Sequence, residues 1–373
     1  MLKSIIFTFS FIFLSNLYAY EARTLGRSPR GLLMGDAYTS IASDEFTLFY
    51  NPAILARHKG FSFTPLNPSF AAPNILQDQD RFSDLGGDPE NFADVALGYP
   101  IYLGGNMAPG FKMGNFGLSA ILNMQTNVLL QNQVNPTIKI DHRYDKGFVM
   151  GYGKSLSGNY TDEMGGEHFA IGGSIKYINR EAINSSNYLL GTTFLDALSA
   201  GEISDILSEI GMVNGQGWGF DVAFDYAKSN GSSTFTAGLA LLDIYTLLQT
   251  ESNEQDFEVQ TQPMQINFGT AWMAKFGGGF DLTISADIRN LERQMEFMKR
   301  VRLGTEIGIS PAISLFAGLS GLDNYSYGVK ANLGLFKVFT GFYGEDIGEK
   351  LDQVESNRFM IYLSLFDFTF DPL

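Results

Sequence analysis

Few side chains in this sequence of 373 residues combine the types and spacing that catalysis needs. The three histidines, His58, His142 and His168, lie far apart, and no nucleophile motif accompanies the Asp141-His142 pair. Histidines in loops are the simplest interpretation of all three. The sequence therefore predicts no catalytic residue and no enzyme.

Metal and cofactor chemistry finds no better support. Acidic residues recur between positions 78 and 94, but Phe82 and Ser83 stand where a calcium loop needs a ligand and a glycine. We interpret this stretch as a solvated acidic loop. The alternate glycines at 215–219 open a strand pattern with no helix behind it, so they do not form a dinucleotide fingerprint. We expect neither a metal nor a cofactor.

A third group of charged residues falls on two neighbouring segments with strand-like alternation, where all of its members share one face. The group consists of Asp281, Asp287 and Arg289 on one segment and Arg300, Arg302 and Glu306 on the next. Such a set can hold an anionic head group, and it is equally typical of the solvated ladder that lines a barrel interior. The sequence leaves both interpretations open.

The composition indicates that the elements which position these residues face lipid. The chain has 41 Gly, 17 Tyr and 32 Phe, only 17% charged residues and no cysteine. A net charge of −15 argues against nucleic acid as a partner, because phosphate neutralisation needs a basic surface. Without cysteine the chain has neither disulfides nor thiolate metal sites. The composition favours a membrane wall over a water-exposed globule.

The first residues have the pattern of a secretory signal. A charged start at Met1-Leu2-Lys3 precedes an apolar run that ends at the small residue Ala19. We expect cleavage after Ala19, which makes residues 1–19 a signal peptide. No later segment approaches the roughly twenty apolar residues that a spanning helix needs.

Alternation with a period of two is the main structural signal. From Gly217 to Ala227 the apolar residues occupy one face and small or acidic residues the other. The predicted lipid-facing residues of this strand are Trp218, Phe220, Val222 and Phe224. Similar segments recur along the chain, and several reach the 9–11 residues that a tilted membrane strand needs. They predict an all-β, antiparallel transmembrane barrel of about 14 strands.

Connection lengths alternate as they do in outer-membrane barrels, which have short periplasmic turns and long outer loops. Short turns are predicted at Lys228–Gly231 and Gly277–Gly279. Long outer loops are predicted over 125–146, 180–215, 243–263 and 344–355.

Two of the predicted outer loops are unusually apolar. Ser199 and Glu202 have the pattern of a capping box at the start of a helix, and Gly211 stands where that helix would end. This pattern predicts a short amphipathic helix in the first of these loops. The apolar residues are Leu189, Leu190, Phe194, Leu195, Leu198, Ile203, Ile206, Leu207 and Ile210 in one loop, and Ile244, Tyr245, Leu247 and Leu248 in the other. They either form a shared hydrophobic groove that binds a ligand or pack against one another to fix the loops.

The block from Gly26 to Arg57 is the most specific motif of the chain. It contains the run Arg30-Gly31-Leu32-Leu33-Met34-Gly35-Asp36-Ala37 and the tripeptide Asn51-Pro52-Ala53. The block resembles the amino-terminal segment of FadL-like outer-membrane proteins, a group that includes long-chain fatty acid transporters and PorV-type proteins. The resemblance implies a hatch over residues 20–58, with Asn51, Pro52 and Ala53 in it, inside a barrel formed by residues 59–373.

The resemblance also implies a function. We expect a passive channel for hydrophobic, fatty-acid-like molecules in the bacterial outer membrane, with capture by the outer loops and passage controlled by the hatch. The alternative is a PorV-type barrel that anchors an assembly or secretion partner and transports nothing. The expected partners are outer-membrane lipid, a hydrophobic small molecule and, during biogenesis, the barrel-assembly machinery.

Overall fold

The computed structural model describes residues 24–74, 97–131, 137–158, 165–188, 211–251, 258–346 and 355–370. The predicted signal peptide, the acidic stretch at 78–94 and the predicted helix near 199–211 lie outside these residues, so their assignments stay predictions.

A single antiparallel sheet of seventeen strand segments closes on itself. Three pairs of consecutive segments occupy the same place between their neighbours, so the barrel has fourteen strands, in agreement with the prediction. The uninterrupted strands are β3 (Phe116–Gln131), β4 (Thr137–Ser157), β5 (Gly166–Tyr188), β6 (Val213–Ser229), β7 (Ser233–Thr250), β8 (Gln265–Gly277), β9 (Phe280–Ile288), β10 (Val301–Ser310), β11 (Ile313–Ser320), β12 (Asn324–Asn332) and β13 (Phe336–Asp346). The interrupted strands are β1 (Phe61–Thr64 and Ser69–Pro73), β2 (Pro100–Met107 and Gly110–Met113) and β14 (Glu355–Leu365 and Phe368–Phe370).

The first and last strands close the barrel. The lower segments of β1 and β14 pair Phe61 with Phe370, and the upper segments pair Phe70 with Ile361. We call the end of the barrel at which β1 begins the lower end, and the opposite end the upper end.

The predicted faces of the strands are confirmed. On β6, the side chains of Trp218 and Phe220 are 47% and 46% exposed on the outer wall, whereas Asp221 and Asp225 are 2% and 0% exposed in the lumen. The same alternation continues on β7, where Phe235 lies outside and Thr236 inside. A wall with apolar residues outside and polar or small residues inside follows from this register.

Connections at the lower end are short, such as Asn230–Ser232 between β6 and β7. The predicted long loops of the upper end are shorter than expected. β3 runs to Gln131 and β4 starts at Thr137, so only residues 132–136 connect them instead of 125–146. β4 and β5 carry many polar residues in their upper parts, so the wall extends further up than the hydrophobic alternation indicated.

The prediction that Ile244, Tyr245, Leu247 and Leu248 lie in a loop is wrong. All four belong to β7, which continues to Thr250. Asp243 and Tyr245 have positive φ angles of 58° and 59°, and the pairing of β7 with β6 shifts at this point. A bulge adds residues to one strand and breaks the period of two, so the strand is hard to recognise from sequence across it.

Residues 24–58 fill the interior of the barrel and form the main hydrophobic core with the wall. They contain α1 (Pro29–Leu33), α2 (Thr47–Tyr50) and a 3₁₀ helix (Pro52–Arg57). Ser28 caps α1 by accepting a hydrogen bond from the Gly31 N–H, and Pro29 occupies the first turn, where a missing N–H costs nothing. We call residues 24–58 the hatch segment.

Within the described residues, no helix is long and apolar enough to cross a membrane.

Candidate functional site

Asn51 joins the hatch segment to the wall. Its side-chain oxygen accepts a hydrogen bond from the Ala53 N–H at 3.0 Å and so caps the 3₁₀ helix that Pro52 begins. Its amide donates to the Thr39 carbonyl at 3.1 Å and to the Phe224 carbonyl of β6 at 3.2 Å. Asn51 is fully buried, so each of these polar groups has exchanged water for a protein partner.

Glycines on the lumen face of the wall let the backbone of the hatch segment approach the strands closely. A Cβ at Gly172 would overlap backbone atoms of Pro52 and Ala53, and a Cβ at Gly318 would overlap Met34 and Gly35. We call this set the glycine cradle: Gly153, Gly172, Gly238, Gly304 and Gly318, on β4, β5, β7, β10 and β11. The cradle seats the hatch segment over most of the barrel circumference.

Three of the predicted lumen residues bind the hatch segment. Glu306 pairs with Arg30, with an Nε to Oε2 distance of 2.6 Å. The Asp287 carboxylate accepts hydrogen bonds from the backbone N–H groups of Tyr38 and Thr39 at 2.9 and 2.8 Å. Arg289 forms an ion pair with Asp36. These wall charges are therefore occupied by the hatch segment.

Two further predicted lumen residues behave differently. Arg302 faces the lumen on β10 and lies 3.9 Å from Glu345 of β13. Arg300 is not on the inward face of a strand, which corrects the prediction. It ends a short helix, α3 (Phe297–Arg300), and donates to backbone carbonyls of Arg293 and Met295, because the strand begins only at Val301.

Further ion pairs between hatch segment and wall were not predicted. Arg57 pairs with Asp225 of β6 at 2.7 Å, and Arg27 pairs with Glu345 of β13. Sequence reasoning placed Asp225 on the lumen face but gave it no partner. The available signal was the combination of basic residues in the hatch block with acidic residues at lumen-facing positions.

The three interrupted strands β14, β1 and β2 are neighbours, and their breaks lie at the same height. Pro65 and Pro68 bracket the break in β1, and proline cannot donate to a sheet ladder. The Asn67 side chain replaces the missing pairing, since it accepts from the Ala108 N–H at 3.0 Å and donates to the Ala108 carbonyl at 3.2 Å.

A cavity of about 160 Å³ lies between the hatch segment and this interrupted part of the wall. Segment Ser43–Glu45 borders it on one side and Lys112 of β2 on the other. The remaining wall residues that line it carry mostly hydroxyl or charged groups, and they include Ser62, Thr64, Ser119, Lys337, Asp367 and Thr369. Leu48, Phe111 and Leu118 also line the cavity, so its lining is mixed polar and apolar, and it lies near the lower end of the barrel.

An apolar group interrupts the polar lumen at the upper end. Leu248, one of the predicted ligand-binding residues, turns inward and is 8% exposed. It belongs to the buried cluster that contains Ile178, Ala182, Val213 and Val259. We call these five residues the upper apolar group. Their neighbours Tyr245 and Leu247, also predicted to bind a ligand, turn outward and are 78% and 58% exposed, so the structure separates the predicted set.

The segment after β7 folds into the lumen beside the upper apolar group. Arg180 binds the Asp145 carboxylate with two hydrogen bonds of 2.6 and 3.0 Å and donates to the Gln260 carbonyl and the Gln262 side chain. Gln262 in turn donates to Asp243 at 3.1 Å. This network holds Val259 against the wall at the upper end.

The predicted ligand-binding residues between Leu189 and Ile210 lie outside the described residues. In the part of the chain that is described, no group of three His, Asp or Glu side chains is arranged to hold a metal ion.

Comparison with known proteins shows likeness only at the level of structure. No family model matches the sequence, and no curated protein does. A deltaS2 mutant of TodX, described as a monoaromatic hydrocarbon channel, gives a TM-score of 0.51 at 13% identity over 93% of this chain and 99% of TodX. The P. putida toluene transporter TodX gives a TM-score of 0.50 at 12% identity over 94% and 100%. The CymD monoaromatic hydrocarbon channel gives a TM-score of 0.47 at 10% identity over 94% of this chain and 100% of CymD.

At these identities the likeness concerns the fold alone. In fold, the chain is a closed fourteen-stranded antiparallel barrel like TodX, as the FadL-like motif between Gly26 and Arg57 indicated.

Proposed function

We propose that this chain is a passive channel for hydrophobic small molecules in the bacterial outer membrane. The observation that carries the proposal is the upper apolar group, which presents Leu248 and its neighbours to the lumen where barrel interiors are ordinarily polar. The five side chains are 0 to 8% exposed, so an apolar ligand would bind here by displacing Val259 and taking over its apolar contacts.

The wall supports a membrane location. Its outward side chains are large and apolar, as Trp218, Phe220 and Trp272 illustrate, whereas the inward ones are polar or small. In this orientation the short connections of the lower end face the periplasm and the upper end faces outward. The precursor would cross the inner membrane by means of the signal peptide at 1–19.

The charged side chains of the lumen indicate which class of ligand the channel takes. Glu306, Asp287 and Arg289 were candidates for holding an anionic head group, but they are engaged by the hatch segment. This favours an uncharged hydrophobic molecule over a fatty acid. TodX is described as a channel for monoaromatic hydrocarbons, and a ligand of that class fits the same reasoning.

The hatch segment gives the channel its control. It is seated in the lumen through Asn51, Pro52 and Ala53 and through the ion pairs of Arg30 and Arg57. A barrel of fourteen strands is too wide for wall side chains alone to fill, so the hatch segment closes what would otherwise be an open pore. Ligands captured at the upper end must pass it to leave the lumen.

Binding by the upper apolar group is tested with two leucines on one strand. Leu248→Ser removes an inward apolar side chain, and Leu247→Ser removes an outward one from the adjacent position. Burying a leucine against a ligand is worth roughly 1.5–3 kcal/mol, so Leu248→Ser should weaken binding of tritiated toluene by at least about tenfold. Leu247→Ser should leave it unchanged. Equilibrium dialysis of the protein in an amphipathic polymer measures both.

If the two variants and the parent bind toluene equally well, the upper apolar group is not the ligand site. An anchor for an assembly or secretion partner would then account better for the barrel. A radiolabelled fatty acid in the same assay tests the ligand class, and we expect it to bind more weakly than toluene.

A further inference from the structure

The contacts between the hatch segment and the wall differ from one side of the barrel to the other. On β4, β5, β7, β10 and β11 the glycine cradle brings backbone against backbone, with no space for a methyl group. Moving the segment away from these strands and from β6, which lies between β5 and β7, would break Asn51–Phe224 and Arg57–Asp225 together with the close packing at Pro52. Well-packed contacts of this kind resist small displacements.

Among the described residues, no glycine of the cradle lies on β14, β1 or β2. Between Thr24 and Arg57, Ser43 is the only residue that is largely exposed, and its neighbours Asp44 and Glu45 are half-buried. All three border the cavity of about 160 Å³. The wall opposite them is the part in which three strands are interrupted.

A few polar contacts hold Ser43–Glu45 on this side. The Lys112 ammonium of β2 donates to the backbone carbonyls of Ser43 and Asp44, the latter at 2.9 Å. The Tyr362 hydroxyl of β14 donates to the Glu45 carboxylate. Within the hatch segment, Asp44 also accepts from the Ser28 hydroxyl and the Phe46 N–H, and the Phe46 ring packs against Tyr362. The contacts that Ser43, Asp44 and Glu45 themselves make with the wall are polar, and polar contacts next to a water-accessible cavity exchange readily with water.

We propose that the hatch opens on this side only, by displacement of the latch formed by Ser43, Asp44 and Glu45, while Met34–Gly35 and Pro52–Ala53 stay seated in the glycine cradle. Displacement of the latch joins the cavity to the lumen above it and makes a path past the hatch segment to the lower end. Lys112 and Tyr362 are the positioning residues that hold the latch closed. As a route for ligand, this inference rests on the proposed function.

Ion conductance tests the latch without any ligand. Because the chain has no cysteine, engineered thiol pairs are the only thiols present. The pair Ser43→Cys with Lys112→Cys spans the latch and can be closed with a short bis-methanethiosulfonate linker. The matched control, Ser40→Cys with Thr236→Cys, replaces two hydroxyls 3.2 Å apart on the cradle side and can form a disulfide directly.

With the linker absent, the latch pair lacks the Lys112 contacts, and its mean conductance in planar bilayers should exceed that of the parent by about tenfold. Adding the linker should return the conductance to the parental value or below, and reduction should restore it. The control pair should conduct equally in its oxidised and reduced forms. Lys112→Met should reproduce the high conductance without any thiol.

The comparison within one sample excludes misfolding, since linking and reduction act on the same inserted molecules. The inference is overturned if the latch linker leaves the conductance unchanged. It is also overturned if the disulfide on the cradle side abolishes the conductance. Conductance that follows the linker in a protein that takes up no hydrophobic probe leaves the latch intact and removes the transport function instead.

Discussion

Asn51 is the residue at which the local turn, the hatch segment and the barrel wall meet. One side chain caps the 3₁₀ helix through the Ala53 N–H and reaches the carbonyls of Thr39 and Phe224 through its amide. Only an amide supplies an acceptor and two donors in this geometry, since a carboxylate has no donors.

Replacing Asn51 with Asp should therefore loosen the hatch segment. The new carboxylate still accepts the hydrogen bond from the Ala53 N–H. It cannot donate to the buried carbonyls of Thr39 and Phe224, and the repulsion between acceptor oxygens costs about 2–4 kcal/mol. Hydrogen exchange of the amides at 47–57 should accelerate accordingly, while the amides of β5 and β6 keep their protection. Asn214→Asp, at an exposed position of β6, is the control and should change neither. Unchanged exchange in the Asn51 variant would contradict its anchoring role.

We expect Glu45 to give the proposed latch a dependence on pH. Burial is the largest cause that raises the pKa of its carboxyl from 4.5 to about 7, and the charge of Asp44 raises the pKa further against the opposing effects of Lys337 and Tyr362. A carboxyl with a raised pKa in the closed state favours closure when it is protonated. That contribution is complete below about 4.5 and is lost as the pH rises through about 7.

The conductance of the parent should accordingly rise between about pH 4.5 and 7 and level off above this range. Glu45→Gln keeps a neutral side chain and should abolish the rise. His58 borders the same cavity and Lys112, Lys337 and Asp367 carry its other charges, so His58→Gln is the control that should retain the rise. A flat profile in the parent, or a rise that disappears with His58→Gln instead, would show that Glu45 does not control the latch.

At the scale of elements, the wall strands are shaped to receive the hatch segment. β5 places Gly172 toward the lumen against Pro52 and Ala53, and the next residue, Gly173, faces outward with no hatch atom near it. Adjacent glycines on one strand thus have opposite roles.

Gly172→Ala should unseat the hatch segment, because the added methyl group meets backbone atoms that no rotamer change can move. Overpacking of this kind typically costs about 1–3 kcal/mol. Gly173→Ala adds the same methyl group to the same strand and should have no effect on the hatch. Protease sensitivity of the hatch segment in folded, heat-modifiable barrel compares the two variants. Equal sensitivity would contradict the cradle.

The strands themselves were largely predictable, because one face of each strand meets lipid. Trp218 and Phe220 on β6 alternate with Asp221 without interruption, and such alternation fixes the register. The upper part of β7 was missed because the bulge at Asp243 and Tyr245 breaks that period.

The candidate site was less predictable, because its contacts join residues far apart in the chain. The tripeptide Asn51-Pro52-Ala53 could be placed in the hatch from its motif. The partners of Arg30 and Arg57 are Glu306 and Asp225, and no local pattern connects them. The inward glycines of the cradle were visible, but their role requires the opposing backbone.

At the scale of the whole molecule, the barrel joins two sites at opposite ends. The upper apolar group lies at the upper end, and the proposed latch lies beside the interrupted strands β14, β1 and β2. The hatch segment separates the two. The proposed passive channel would use this arrangement for capture at the upper end, closure between the two ends and release at the lower end.

The central claim is that hydrophobic molecules cross the outer membrane through this lumen. The most direct measurement is the initial rate of tritiated toluene uptake at low concentration by Gram-negative cells with and without the protein, after collapse of the proton gradient. We predict faster uptake by producing cells, at a rate that rises in proportion to the external concentration and falls with Leu248→Ser. Uptake equal to that of cells without the protein, with folded barrel present in the outer membrane, would contradict the account.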